Sequence, residues 1–190
     1  STPKYNLIYD AFGWERPKYM HLPPIMKDAT RKLSKRYGDA NFEDFIAKGY
    51  LPQAVVNYIA LLGWCPKDNK EKMTMQELID EFDVSGISHS SSIFDEAKMR
   101  WLNGEYLKAM SEQDFEKVAT PWIKQAIGDK DYDVKELALL MQTRVDVLSE
   151  IPEKLAFLNE FGEHDLAMYE HQKMKVTKDG LRPIYKLIGQ

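Results

Sequence analysis

Sulfur chemistry is almost absent from this chain: Cys65 is its single cysteine. No intrachain disulfide can form, and the composition suits a reducing compartment. Cys65 itself reads as a small buried hydrophobe following the Trp64 turn. Long apolar runs are missing too. The longest, "YIALLGWC", is far short of the roughly 20 residues a membrane helix needs, and Gly63 interrupts it. The opening "STPKYNLIYDAFGW" lacks the charged-then-apolar order of a secretory signal. Neither repeats nor low-complexity tracts occur. Net positive charge is also lacking, at -4 with a pI near 5.6. That argues against a sequence-indifferent DNA coat, while leaving room for local basic patches. These absences point to a soluble, cytoplasmic, globular protein with no membrane or DNA partner. Its 190 residues, 44% of them hydrophobic, suffice for one domain or two small ones, burying about 70% of the unfolded surface.

What is present is mostly helical pattern. Thr2 or Ser1 can cap a helix running to about Phe12, with Ile8, Ala11 and Phe12 on one side and Gly13 ending it. "KYMHLPPIM" reads as two short extended pieces broken by Pro23 and Pro24. From Asn41 the signal is helical throughout. Asn41 caps a helix closed by Gly49, and Pro52 opens one with the stripe Val55, Tyr58, Ile59 and Leu62. Thr74 and Glu77 form a capping box before Met75, Leu78, Ile79 and Phe82. After the polar loop "SGISHSSSIF", Asp95 caps a helix with Phe94 and Met99 at staple positions. Ser111 starts another, which Pro121 either kinks or restarts with Thr120 as cap. "DVKELALLMQTRVDVL" places Val134, Leu137, Met141, Val145 and Leu148 on one stripe, and Pro152 begins the next helix.

The stretch "TRKLSKRYGDANFEDF" sets Arg31, Lys32, Lys35 and Arg36 within a few positions, and the nearest following acid is Asp39. In Lys32-Leu33-Ser34-Lys35 two ammonium groups flank a hydroxyl, a set suited to following the shifting charge of a polyphosphate. A solvated charge run on a loop is the alternative. A second constellation lies on the Asp95 helix. At about 100° per residue, Met99, Leu102 and Tyr106 cluster, while Trp101 points roughly 130° away with Lys98 between. An aromatic beside a cation, off the core face, suits stacking on RNA, although Trp101 could pack under a neighbouring helix. Arg144 offers a planar fork fit for a base edge, or an exposed helix arginine paired with Asp146 or Glu150. His164 and His171, near Asp165 and Glu170, fit no recognised zinc spacing and read as a solvated linker, so no metal site is expected. Lys173 to Lys186 holds five cations against Asp179, a solvated or backbone-contacting strip.

"HLPPIMKDATRKLSKRYGDANFEDFIAKGYLPQAVVNYIALLGWCP", with "GWERPKYMHLP" before it and "FDEAKMRWLNGEY" after, resembles the bacterial-type glutamyl-tRNA synthetase family of class I. Lys32-Leu33-Ser34-Lys35 resembles that class's KMSKS signal in the form KLSKR, and looser likeness runs through "MQTRVDVLSEIPEKLAFL". The resemblance implies that Lys35 contacts ATP phosphates during adenylate formation, with Lys32 and Ser34 supporting the loop. Pro24 and Ile25 fall where the family lays backbone against adenine; the family has leucine at the place of Pro24, and proline brings no N–H donor. His21 matches a histidine on the strand leading to the loop. Lys98 and Trp101 match positions touching the inner corner of the tRNA, and Arg144 an arginine that reads the anticodon. ATP, with magnesium, glutamate and tRNA(Glu) would be the partners of the whole enzyme.

A complete member of the family is longer, starting with a half that carries the HIGH signal and the glutamate pocket. No HIGH-like tetrad or Gly-rich βα start occurs here. The expected fold is mainly α: residues 1–40 end the catalytic nucleotide-binding domain, 41–110 form a helical stem-contact region, and 111–190 open an α-helical anticodon-binding domain. Such a portion should bind tRNA without catalysing the ligation alone. A glutaminyl-tRNA synthetase relative is a poorer match, since that type carries a β-barrel anticodon domain. The truncated glutamyl-queuosine type lacks the later helices. A free-standing helical RNA- or protein-interaction module reusing the scaffold is the third reading.

Overall fold

The computed structural model describes residues 2–34 and 41–159. Lys35, Arg36, His164, His171 and the 173–186 strip lie outside the described residues. The architecture is helical, with isolated backbone bridges and no strand among the described residues. The chain divides into two compact units between Tyr106 and Leu107.

In the first unit, α1 (Thr2–Ala11) buries no residue, and its expected inner positions Ile8 and Phe12 are exposed. Periodicity marks an apolar face that no described element covers. The extended pieces after it are not strands; His21 is exposed and shares a hydrogen bond with Thr2 Oγ1 at 3.4 Å. α2 (Phe42–Ala47) begins after Asn41, whose backbone has the extended cap geometry but whose side chain makes no capping bond. Gly49, at φ 86°, turns the chain toward α3 (Pro52–Gly63), which starts on its proline. α3 buries Ala54, Val55, Asn57, Tyr58 and Leu62, whereas Ile59 of the expected stripe is half exposed.

α4 (Met75–Glu81) has the full capping box: Glu77 N–H donates to Thr74 Oγ1, and Thr74 N–H donates to Glu77 Oε2. Only Leu78 of its stripe is buried; Met75, Ile79 and Phe82 stand in solvent. A seven-residue helix packs a single turn-to-turn row on α3, so the rest of its wide apolar face stays uncovered. A 3₁₀ turn, Val84–Gly86, follows. Gly86 is forced by space: a Cβ there would lie 2.5 Å from Trp64 Nε1 and 2.7 Å from the Cys65 carbonyl oxygen. Cys65 is exposed, not buried, because Trp64 fills the space beneath that turn.

Glu77 also accepts from Lys70 Nζ at 2.5 Å. That bond first, then those from Thr74, pulls its carboxyl from an ordinary value near 4.5 to about 2. Because the folded value is the lower one, the stabilisation is complete above the ordinary value and fades as pH falls toward 2. Glu77→Gln is expected to flatten this part of the acid limb, read by thermal unfolding from pH 5 to 2. An unchanged limb would show that the box contributes nothing through charge.

α5 (Glu96–Ala109) is capped by Asp95, whose Oδ1 accepts from Lys98 N–H at 3.1 Å. Buried polar groups lock it in place. Asn103 Oδ1 accepts from Leu51 N–H at 2.8 Å, and Tyr58 O–H donates to the Asp95 carbonyl at 2.8 Å. Asn57, fully buried, accepts from Met73 N–H at 2.9 Å and Tyr106 O–H at 2.8 Å.

The second unit is built on α6 (Glu112–Ile127), which packs against α7 (Val134–Gln142) and α8 (Ile151–Lys154). Ser111 caps α6, as expected. Pro121 neither breaks nor restarts it; the helix runs through, and Thr120 Oγ1 donates to the Glu116 carbonyl at 2.7 Å. Burial of Phe115, Ala119 and Ile123 on both sides of the proline outweighs the lost backbone bond. α7 stops at Gln142, two residues before Arg144, so the expected long stripe is two pieces. Val145, Val147 and Leu148 still reach the core, by an extended segment and a 3₁₀ turn, Leu148–Glu150. Gln142 Nε2 fixes the turn by donating to the carbonyls of Leu107 and Met110.

Candidate functional site

The basic stretch begins on a short backbone frame. Leu33 N–H donates to the Ile25 carbonyl at 2.9 Å and Lys27 N–H to that of Arg31 at 2.8 Å. Met26 in turn bonds to the segment leading into α5, donating to Ser92 and accepting from Phe94, each at 2.8 Å. One side of this frame faces α2 and α3, and a pocket of about 490 Å³ opens there. Pro24, Ile25, Lys32 and Ser34, four residues singled out from sequence, all line it. Phe42, Phe45, Ile59, Leu62 and Phe94 supply its apolar wall. Phe45 stacks on Phe94 at 5.9 Å, and Tyr58 meets Phe94 edge-on at 5.4 Å, so the rings of the wall brace one another. An apolar wall with Lys32 and Ser34 among the lining residues fits an apolar ring carrying a charged tail.

The cations of the stretch are not equivalent. Arg31 Nε and Nη2 both bond Asp28 Oδ2 at 2.7 Å, so Arg31 is neutralised locally. Asp28 also accepts from Thr30 N–H and Oγ1; those bonds, more than Arg31, hold its carboxyl far below the usual carboxylate range. Lys32 is exposed and no acid pairs with it among the described residues. Among the described residues, then, Arg31 is committed to an acid and Lys32 is not.

Lys98 and Trp101 share the outer surface of α5. Trp101 is 44% exposed, whereas Met99 and Leu102 are buried, as the helical angles require. Lys98 Nζ is paired with Glu71 Oε1 at 2.6 Å, a partner that local sequence does not disclose. In the second unit, Arg144 is not a helix arginine paired with Asp146 or Glu150. Its Nη1 donates to the Leu140 carbonyl at 2.5 Å, closing the end of α7, and no acid pairs with it among the described residues. Asp146 instead faces Lys108 at 3.9 Å.

The Asp28 contact has a local signal, since Asp-x-Thr is an Asx-turn pattern that folds a carboxylate back on the next two or three residues. The aromatic wall has none, because it joins residues some 50 positions apart.

Two family profiles match the chain in succession. That described as "tRNA synthetases class I (E and Q), catalytic domain" covers residues 1–101, and that described as "Anticodon binding domain" covers residues 105–189. Among curated relatives, the glutamate–tRNA ligase of Clostridium novyi is 50% identical over 94% of this chain and 37% of its own length. That of Clostridium kluyveri is 52% identical over 93% of this chain and 36% of its own. The chain thus spans little more than a third of the length of the curated relatives it matches. Among solved structures, a glutamate tRNA ligase from Elizabethkingia meningosepticum in complex with its amino acid superposes with a TM-score of 0.67 at 29% identity, covering 81% of this chain and 34% of that one. The chain belongs to the class I tRNA synthetases (E and Q), with catalytic-domain sequence followed by an anticodon-binding domain.

Proposed function

We propose that this chain serves a glutamate–tRNA ligase, holding ATP at the pocket and tRNA(Glu) along the helices beyond it. The observation that carries the reading is the convergence of Pro24, Ile25, Lys32 and Ser34 on one pocket with an apolar wall. ATP would lay its base against that wall and direct its phosphates toward Lys32, Ser34 and Lys35, where ammonium groups on long stems can follow the charge of the departing pyrophosphate. The Ile25 carbonyl already accepts one bond from Leu33 and has a second lone pair for an exocyclic amine. Pro24 supplies surface only. Magnesium would neutralise phosphate charge, and no residue of this chain is assigned to it.

Trp101 and Lys98 would meet the tRNA sugar–phosphate backbone, and Arg144, with donors beyond the one given to Leu140, a base of the anticodon. On this reading residues 1–40 end the catalytic domain, 41–110 contact the stem, and 111–190 open the anticodon-binding domain, all within a cytoplasmic enzyme. The described residues contain no helix long and apolar enough to cross a membrane.

In the intact ligase carrying this segment, Ile25→Glu puts a carboxylate into the base pocket. It is expected to raise the KM for ATP in pyrophosphate exchange at least tenfold while tRNA affinity holds. An unchanged KM would remove the pocket from the reaction.

A further inference from the structure

We infer that Glu71 is a built-in competitor for the RNA phosphate at Lys98, setting a threshold that stray polyanions do not pass. The inference rests on the reading of Lys98 and Trp101 as an RNA-contacting face. Most exposed ion pairs are loose, because two long side chains must be ordered to form them. Here the backbone that carries the carboxylate is held in advance. On one side of Glu71, Lys70 N–H donates to Asp68 Oδ1 at 3.0 Å and Lys70 Nζ binds Glu77 at 2.5 Å. On the other, Lys72 Nζ donates to the Glu105 carbonyl at 2.7 Å and lies 5.6 Å from the centre of the Tyr106 ring. Met73, next in line, is fully buried and bonded to Asn57. The segment 70–73 is thus stapled to α3, α4 and α5, which fixes the backbone that presents Glu71 to Lys98.

The two lysines that flank Glu71 in sequence, Lys70 and Lys72, are spent on the fold. Lys70's partner Glu77, 41% open to solvent, is also held by Thr74, whereas Lys98's partner Glu71, 46% open, has no second partner among the described residues. A phosphate reaching Lys98 must displace that carboxylate. A ligand bringing phosphate charge alone competes at a disadvantage. One that also stacks a sugar or base on Trp101 gains a second contact that Glu71 does not oppose. Glu71 therefore lowers affinity for all RNA, and it lowers it most, relative to total binding, for RNA that cannot use Trp101.

The test measures binding of a tRNA(Glu) transcript to the full chain by anisotropy, from 50 to 300 mM salt. The variants are Glu71→Gln, Lys98→Ala, Glu71→Gln with Lys98→Ala, and Trp101→Ala. Glu71→Gln should tighten binding about two- to fivefold, the scale of one partly exposed ion pair. It should also steepen the salt slope by about 0.7–0.9, one further phosphate contact. In the Lys98→Ala background the same change should do nothing. The inference is overturned if Glu71→Gln fails to tighten binding, or tightens it equally without Lys98, which would be bulk charge alone. If Lys98→Ala and Trp101→Ala weaken binding while Glu71→Gln does not tighten it, the RNA face survives and the competitor does not. If neither of those two weakens binding, or the chain binds no transcript at 50 mM salt, both fall.

Discussion

Replacing Lys35 by alanine in the intact ligase is expected to slow ATP–pyrophosphate exchange about 10²- to 10³-fold, the usual loss for one preorganised donor at a developing charge. The affinity for tRNA should change less than twofold. In sequence Lys35 directly follows Ser34, and Ser34 lines the pocket. Of the two cations just before it in the stretch, Arg31 is bound to Asp28, whereas Lys32 has no acid partner among the described residues. Lys35→Arg keeps the charge but exchanges a compact ammonium for a planar fork, and should recover only part of the rate. Exchange at the wild-type rate in Lys35→Ala would refute the role, and with it the case for the loop as the phosphate grip.

Asn57→Ala is expected to destabilise the first unit by about 2–3 kcal/mol, among the largest effects open to a single polar side chain here. Its amide oxygen is the acceptor for the buried Met73 N–H and for Tyr106 O–H. Truncation strands that N–H in the core, where an unmet donor costs roughly 1–3 kcal/mol, and leaves a hole beside it. Tyr106→Phe is the gentler comparison, at about 1 kcal/mol, because Met73 N–H keeps its acceptor. Burial, reinforced by the Glu77 carboxylate, pushes the Tyr106 hydroxyl up to about 12, so it donates across the working pH range. Urea unfolding monitored at Trp64 reads both variants. An Asn57→Ala midpoint equal to wild type would mean that the amide is dispensable, and that the segment 70–73 is held by other groups.

The legible parts of this structure are those written in neighbouring residues. Thr74 with Glu77, Ser111 and Asp95 each announce a helix start, because the donor and acceptor lie within one turn of each other. The outward direction of Trp101 follows from helix geometry alone. What periodicity cannot state is whether anything lies against an apolar face, so Ile8, Ile59, Met75, Ile79 and Phe82 belong inside by pattern and stand outside in the fold. Pro121 shows the reverse. Its local penalty is plain in the sequence, while the packing of α6 that overrides it is tertiary. At the site, the cations are readable and their partners are not. Glu71 meets Lys98 across 27 residues, and Phe94 reaches Phe45 across nearly 50.

Gly86 carries a consequence for the history of this protein. Every one-base change of a glycine codon that alters the amino acid adds at least a Cβ, and a Cβ here would lie within 3 Å of the Trp64 indole and the Cys65 carbonyl. One of those two neighbours is backbone and cannot swing aside, and Trp64 is itself bonded to the Asp83 carbonyl at 3.0 Å. Missense drift has no mild first step at this codon, and losing the indole would not supply one, because the Cys65 carbonyl would still stand 2.7 Å from the new Cβ.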